Sequence, residues 1–329
     1  MTSHRSAAEI EVLFRSFLIP HARAERTMQM VEQLREQKRK LPWGVEARAA
    51  CLLAPSHSGK SQAANHMHFD RFLLPQLRQS GEYDADVSND NIKKLQRKVI
   101  YVRIPSEYDG AFAAELLIAL GDPKPWKGSV DERIRRALTI MISLGSEILI
   151  LDSVDNLTRL RDSDSEKKAD QTRGRMRFII ERGMPVLFIG TPSARESLFK
   201  ETQLVHREQE IKFDRLTFPK DEIEYCEYLM GTDLLMVENG IFGDLSDLVA
   251  YHEQLFIGSR NRFGVTSIII MDAAILASAK NCPRIEEQHL AEAVQTYMER
   301  TPPDPWTPDG CDINPFTRKR VTSKVSRDY

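Results

Sequence analysis

Cysteine is scarce in this chain. The four in 329 residues, Cys51, Cys226, Cys282 and Cys311, stand far apart and form no C-x-x-C pair, which argues against a disulfide framework or a thiolate zinc site and fits a reducing compartment. No run of about 18 apolar residues occurs, and no apolar segment follows the His4-Arg5 start, so the reading is a cytoplasmic protein without membrane attachment. Excess charge is missing too: 46 Lys and Arg against 48 Asp and Glu leave a formal net charge of −2. Net basicity therefore carries no argument for nucleic acid, and any such surface has to be a local patch. No internal repeat appears. The pair His66-x-His68 lacks the further ligands a metal needs and reads as helix surface.

What is present centres on Leu52-Leu53-Ala54-Pro55-Ser56-His57-Ser58-Gly59-Lys60-Ser61. An apolar strand runs into a phosphate-binding loop and then a helix that opens at Gln62. In such a loop, here Ala54, Pro55, Ser56, His57, Ser58, Gly59, Lys60, Ser61 and Gln62, the backbone N–H groups wrap nucleotide phosphates, Lys60 reaches the β- and γ-phosphates, and the Ser61 hydroxyl ligates Mg²⁺. Ala54 replaces the usual first glycine. That position seldom needs a positive φ, unlike Gly59, where the backbone must approach phosphate closely.

Apolar runs at 99–104, 148–151 and 185–190 alternate with helical patterns at 62–77, 111–120 and 131–144, which predicts a parallel α/β sheet with its ligand at the carboxyl ends of the strands. The run Ile148-Leu149-Ile150-Leu151 ends in Asp152, placed to hold Mg²⁺ as a Walker B carboxylate. Ser153 follows it and is a poor general base. Asp155 takes a catalytic part only if the loop bends it inward; with Asn156 it also has the composition that tightens a turn. Thr191 ends the run 185–190 at the same edge of the sheet. Residues 210–216 alternate apolar and charged, as a fifth, edge strand does. Two basic groups have two readings each. Arg35, Lys38, Arg39 and Lys40 form a solvated helix face or touch a polyanion, and Arg173, Arg175 and Arg177 face DNA phosphates or pair with neighbouring carboxylates.

The succession of Ala54–Ser61, Leu149–Asp152, Phe188-Ile189-Gly190-Thr191 and Gln203-Leu204-Val205-His206-Arg207 resembles the AAA+ ATPases that regulate transposition, the TniB/TnsC family, and more distantly MuB. The resemblance spans residues 45–300. It implies a five-stranded P-loop NTPase core with a C-terminal helical lid, divided as a helical extension at 1–44, the core at 45–218, the lid at 219–300 and a Pro-rich, basic tail at 301–329. It further implies ATP and Mg²⁺ as cofactors, Thr191 as a sensor of the γ-phosphate, Arg207 as an arginine finger reaching a neighbouring subunit, and Arg260 or Arg262 as a second sensor. The implied partners are double-stranded DNA, further copies of the chain in a ring or helical filament, a transposase and a TniQ-type target-selection protein. In ATPases of the additional-strand class a glutamate usually follows the Walker B aspartate; Ser153 in its place implies slow hydrolysis. The tail, with Trp306 and Phe316, reads as a docking segment for a partner or as a tail folded on its own body. Two alternatives share the same core: a helicase-loader type ATPase, and a nucleotide-gated scaffold that hardly turns over ATP.

Overall fold

The structure is a computed structural model and describes residues 5–105, 110–157, 163–198 and 208–317. The chain forms two compact units, one from Pro20 to Asp214 and one made of the residues up to Ile19 together with those from Arg215 onward. The segment 1–44, expected as a single extension, divides between them at Pro20. Helix Ala7–Ser16 buries Ile10 and Phe14 among the C-terminal helices, whereas helix Ala22–Lys40 belongs to the first unit. Among the described residues no single helix is long and apolar enough to cross a membrane.

In the first unit five parallel strands, β1 (Ala49–Leu53), β2 (Val99–Arg103), β3 (Ile148–Asp152), β4 (Val186–Gly190) and β5 (Glu208–Glu210), lie in the order β2-β3-β4-β1-β5. Every residue of β3 and β4 is buried. Covered on both faces, these strands read in the sequence as continuous apolar runs rather than as alternation. Strands β1 and β4 are neighbours in space, yet the next strand after β1 lies at one edge of the sheet and the next after β4 at the other. Such a divergence opens a crevice at the carboxyl ends of the two strands.

The fifth strand, expected over 210–216, ends where that stretch begins. Only Glu208–Glu210 pair with β1, followed by one further bond from the Ile211 N–H to the Cys51 carbonyl at 2.8 Å. Beyond it Ile211 and Phe213 are buried and Lys212 and Asp214 exposed, so the alternation is real. It reports burial and not a ladder: the Asp214 carbonyl accepts from Arg23 Nε instead, at 2.6 Å. After β1 the chain advances through wide π-type turns from Gln62 to Leu73 before the α-helix Leu74–Gln79.

The basic end of helix Ala22–Lys40 is not a solvated face. Arg35 is 1% exposed and Lys38 6%. Arg35 reaches Glu32 at 2.5 Å, Glu147 at 2.7 Å and Gln76 at 3.1 Å, and Glu147 directly precedes β3. One buried guanidinium thus pins the helix to the start of β3. His68, expected on a helix surface, is buried in the same network, 3.3 Å from Glu32 and stacked on Phe72. Burial pushes the Glu32 carboxyl up, but the bond to His68, the Arg35 charge and bonds from Arg39 and Gln76 outweigh it and hold the group well below its ordinary value. The Lys38 ammonium lies 3.4 Å from the centroid of the Trp43 ring, where the negative face of the indole stands in for a hydrogen-bond acceptor. Only Arg39 and Lys40 meet solvent, each paired with glutamate.

The second unit is helical. Helices Glu222–Glu238, His252–Gly258, Phe263–Ala279 and Glu287–Arg300 close around Tyr225, Leu255, Ile269, Leu290 and their neighbours. Between the second and third of these the chain turns through Arg260 and Asn261, both at positive φ, 54° and 59°. Arg260, buried, donates to the carbonyls of Thr301 at 2.6 Å and Pro302 at 3.1 Å. Arg262 makes a two-pronged contact with Asp304 at 2.8 and 2.7 Å. These bonds, against the effect of burial, bring the Asp304 carboxyl down to about 2. Farther on, Asn314 donates to the Ala291 carbonyl at 2.9 Å and Phe316 packs near Tyr251. Of the two readings of the tail, the segment 301–317 takes the second and is built into this unit, and its basic end from Arg318 lies outside the described residues.

Two outcomes follow from these contacts. Replacing Arg35 with Met leaves two carboxylates without their buried cation and should lower the unfolding free energy in urea by about 3–5 kcal/mol, whereas Lys40→Met, in an exposed pair, should change it by less than about 1 kcal/mol. Asp304→Ala should make residues 301–317 newly sensitive to limited proteolysis while fragments of the first unit stay resistant.

Candidate nucleotide site at the carboxyl edge of the sheet

The loop after β1 is built as its sequence requires. Positive φ occurs at His57, 59°, and Gly59, 94°, and not at Ala54, so alanine at that place carries no backbone strain. The Ala54 N–H bonds to the Gly190 carbonyl at 3.1 Å, which ties the loop to the end of β4. Ser58 Oγ donates to the Pro55 carbonyl at 2.7 Å. Lys60, 8% exposed, folds its ammonium under the loop onto the carbonyls of Ala54 and Pro55 at 2.6 and 2.7 Å. A cation held by its own loop, with Gly59 leaving the backbone open, suits an anion.

Across the crevice, Ser61 Oγ donates to Asp152 Oδ2 at 2.7 Å. The sequence places these residues 91 positions apart, and the order of β1, β4 and β3 brings them together. Asp152 Oδ2 also accepts from the Tyr101 hydroxyl, and Oδ1 accepts the Ser153 N–H at 2.6 Å. Among the described residues no group of three or more His, Cys, Asp or Glu side chains could hold a metal ion alone. One hydroxyl and one carboxylate nevertheless fit Mg²⁺, which takes its remaining ligands from phosphate and water.

Ser153 adopts a left-handed conformation, φ 60°, and starts a tight turn closed by the Asn156 N–H on its carbonyl at 3.0 Å. That turn aims Asp155 at β4: its Oδ1 accepts the Thr191 N–H at 3.3 Å. In this arrangement Asp155 braces the end of the neighbouring strand. The Thr191 hydroxyl lies 2.8 Å from Ser193 Oγ. Gly190 is required by this brace, since a Cβ there would sit 2.8 Å from Val154 Cγ2 and 3.3 Å from Asp155 Oδ1. Arg207 and the segment from Gln203 lie outside the described residues. Arg173, Arg175 and Arg177 each meet a carboxylate, Asp170, Asp131 and Glu181, so this basic cluster is internally paired.

Two side chains at the site escaped the sequence reading. Tyr101 looked like one more residue of an apolar strand; its single polar tip was the available signal. Burial, then the Asp152 charge, hold its phenol well above the ordinary value, so it stays a donor. His21 caps helix Ala22–Lys40, its Nδ1 accepting the Ala24 N–H at 3.2 Å, and its Nε2 stands 4.0 Å from the place of a Cβ on Gly59. Burial and then the charges of Arg23 and Arg26 bring its pKa down to about 3, so the ring beside the loop is neutral.

A family model described as "Bacterial TniB protein" matches residues 9–217. No curated protein matches the chain. Solved structures share the architecture. The Orc1 protein of Aeropyrum pernix, solved in complex with DNA, has 16% identity and a TM-score of 0.62 over 90% of this chain and 70% of its own. The ADP form of the ORC2 protein from the same organism has 11% identity and a TM-score of 0.55, covering 87% and 72%. Cdc6p from Pyrobaculum aerophilum has 13% identity and a TM-score of 0.50, covering 87% and 70%. At these identities the likeness is one of fold, that of the AAA+ ATPases with a parallel five-stranded sheet and a helical C-terminal region.

The brace at Gly190 can be tested by volume. Gly190→Ala should cost about 1–3 kcal/mol of stability through overpacking. Gly174→Ala, where a Cβ meets nothing within 4 Å, should gain up to about 1 kcal/mol from helix propensity; both are measured by urea unfolding.

Proposed function

This chain belongs to the bacterial TniB family, and on that premise we propose that it is an ATP-dependent, DNA-binding regulator of transposition. The observation that carries the nucleotide part is the bond between Ser61 and Asp152 beside a buried Lys60. Loop hydroxyl, strand-end carboxylate and lysine converge on one crevice, the arrangement that holds a nucleoside triphosphate with Mg²⁺. The metal, when bound, neutralises phosphate charge. The chain's own residues do the rest: the loop amides from Ser56 to Gln62 bind the phosphates, Lys60 turns from its loop carbonyls to the γ-phosphate, and Thr191 senses that phosphate from the end of β4.

Family membership supports the remaining roles: assembly of several copies on duplex DNA, with Arg207 completing the neighbour's site, and a link between a TniQ-type target-selection protein and the transposase. The solved complex of the Orc1 neighbour with DNA is consistent with duplex as the ligand. Hydrolysis is slow in this reading. Ser153 offers no carboxylate, its amide is spent on Asp152, and Asp155 is turned to the Thr191 backbone. ATP binding thus drives assembly and slow turnover drives release. The same residues favour, as a second reading, a scaffold gated by nucleotide with almost no turnover.

The test is binding. Lys60→Ala should weaken a fluorescent ATP analogue by about tenfold or more, as the loss of a charge-assisted contact to phosphate does, and should abolish nucleotide-dependent assembly on duplex DNA seen by electron microscopy. Unchanged nucleotide affinity in that variant overturns the site assignment, and assembly indifferent to nucleotide overturns the regulatory reading.

A further inference from the structure

Asp152 is held by more than the phosphate loop. Tyr101 stands opposite Ile150 in the register of β2 and β3, two residues short of Asp152. Residues opposite each other and residues two apart share a face of the sheet, and two residues advance about 6.6 Å along a strand. A tyrosine ring spans that interval, and its hydroxyl arrives on Asp152 Oδ2. Phenylalanine would fill the same space and donate nothing.

The carboxylate therefore accepts three bonds: Ser61 Oγ and Tyr101 on Oδ2, and the Ser153 N–H on Oδ1. A carboxylate offers about four acceptor positions. Three donors from three different segments leave it one, and no freedom to rotate. Ser61 is itself a ligand of the cation in the site proposed above, and Ser153 donates from the backbone of a tight turn. Tyr101 is the donor anchored in the middle of strand β2, between buried Ile100 and Val102.

We propose that Tyr101 is a positioning residue for Mg²⁺: its hydroxyl fixes the Asp152 carboxylate in the orientation that receives the cation, so that the metal and not the nucleotide itself depends on it. This rests on the ATP site proposed above. Partners that orient a metal-binding carboxylate are worth about 10–100-fold in metal affinity, and the preorganisation matters more here because Ser153 offers no second carboxylate.

The experiment uses the full chain and a fluorescent ATP analogue. Mg²⁺ is titrated into nucleotide-loaded protein, and nucleotide binding is measured separately in EDTA. Tyr101→Phe should raise the Mg²⁺ concentration at half-saturation about tenfold and leave the affinity in EDTA and the melting temperature near those of the wild type. In the Asp152→Asn background the same substitution should add nothing, since its effect passes through that carboxylate. An unchanged or tighter Mg²⁺ response in Tyr101→Phe overturns the proposal, as does a full additive effect in the Asp152→Asn background. A lowered melting temperature with an unmoved Mg²⁺ response assigns the hydroxyl to structure alone and also overturns it. Lys60→Ala separates the two claims: if it binds nucleotide normally, the site itself is misassigned, whereas its loss of binding beside an unaffected Tyr101→Phe removes only the role of Tyr101.

Discussion

The Asp152 carboxylate joins the parts of the first unit that have to act together. It receives the loop after β1 through Ser61, the middle of β2 through Tyr101 and the turn after β3 through Ser153. A buried anion left without donors would be costly, so each of these segments is held where it is by the same electrostatic demand. The neighbouring strand is bound in by separate means. Asp155 accepts from the Thr191 amide, and the Gly190 carbonyl accepts from Ala54. The crevice edge is thereby a single hydrogen-bonded surface, and strand order is what makes it possible, because β4 lies between β1 and β3.

At the opposite end of the same strand, Arg35 does comparable work. Its contacts with Glu32 and Glu147 fix helix Ala22–Lys40 against the start of β3, and the N-cap of that helix, His21, lies beside Gly59. One helix therefore runs from the nucleotide loop to the start of β3. In the second unit, Arg260 and Arg262 gather residues 301–304 in a similar way. In both places arginines that the sequence leaves available to solvent or a ligand are spent on internal anchoring.

Membership of the TniB family and the AAA+ fold are both legible in the amino-acid sequence, because they rest on local words: a glycine and lysine after an apolar strand, an aspartate closing another, a Gly-Thr at the end of a third. Such words survive as sequence because each is made by contiguous residues. The site is legible to the same depth and no further. Ser61, Asp152 and Lys60 can be named from their motifs, and the carriage of Asp155 on the Thr191 amide cannot, since it depends on the turn at Ser153.

By itself the sequence determined where β1 to β4 lie, that the strands alternate with helices, and which residues bear phosphate-binding and metal-binding groups, since these follow from periodicity and from chemistry within a few residues. Only the tertiary structure decided that Arg35, Lys38 and His68 are buried, that the ladder of β5 stops after Glu210, that residues 301–317 fold back on their own unit, and that Tyr101 belongs to the site. The reason is common to all four. A charge, a hydroxyl or an alternating pattern has the same local signature whether water or a distant segment satisfies it, and which of the two it meets is set by packing between residues far apart in the chain.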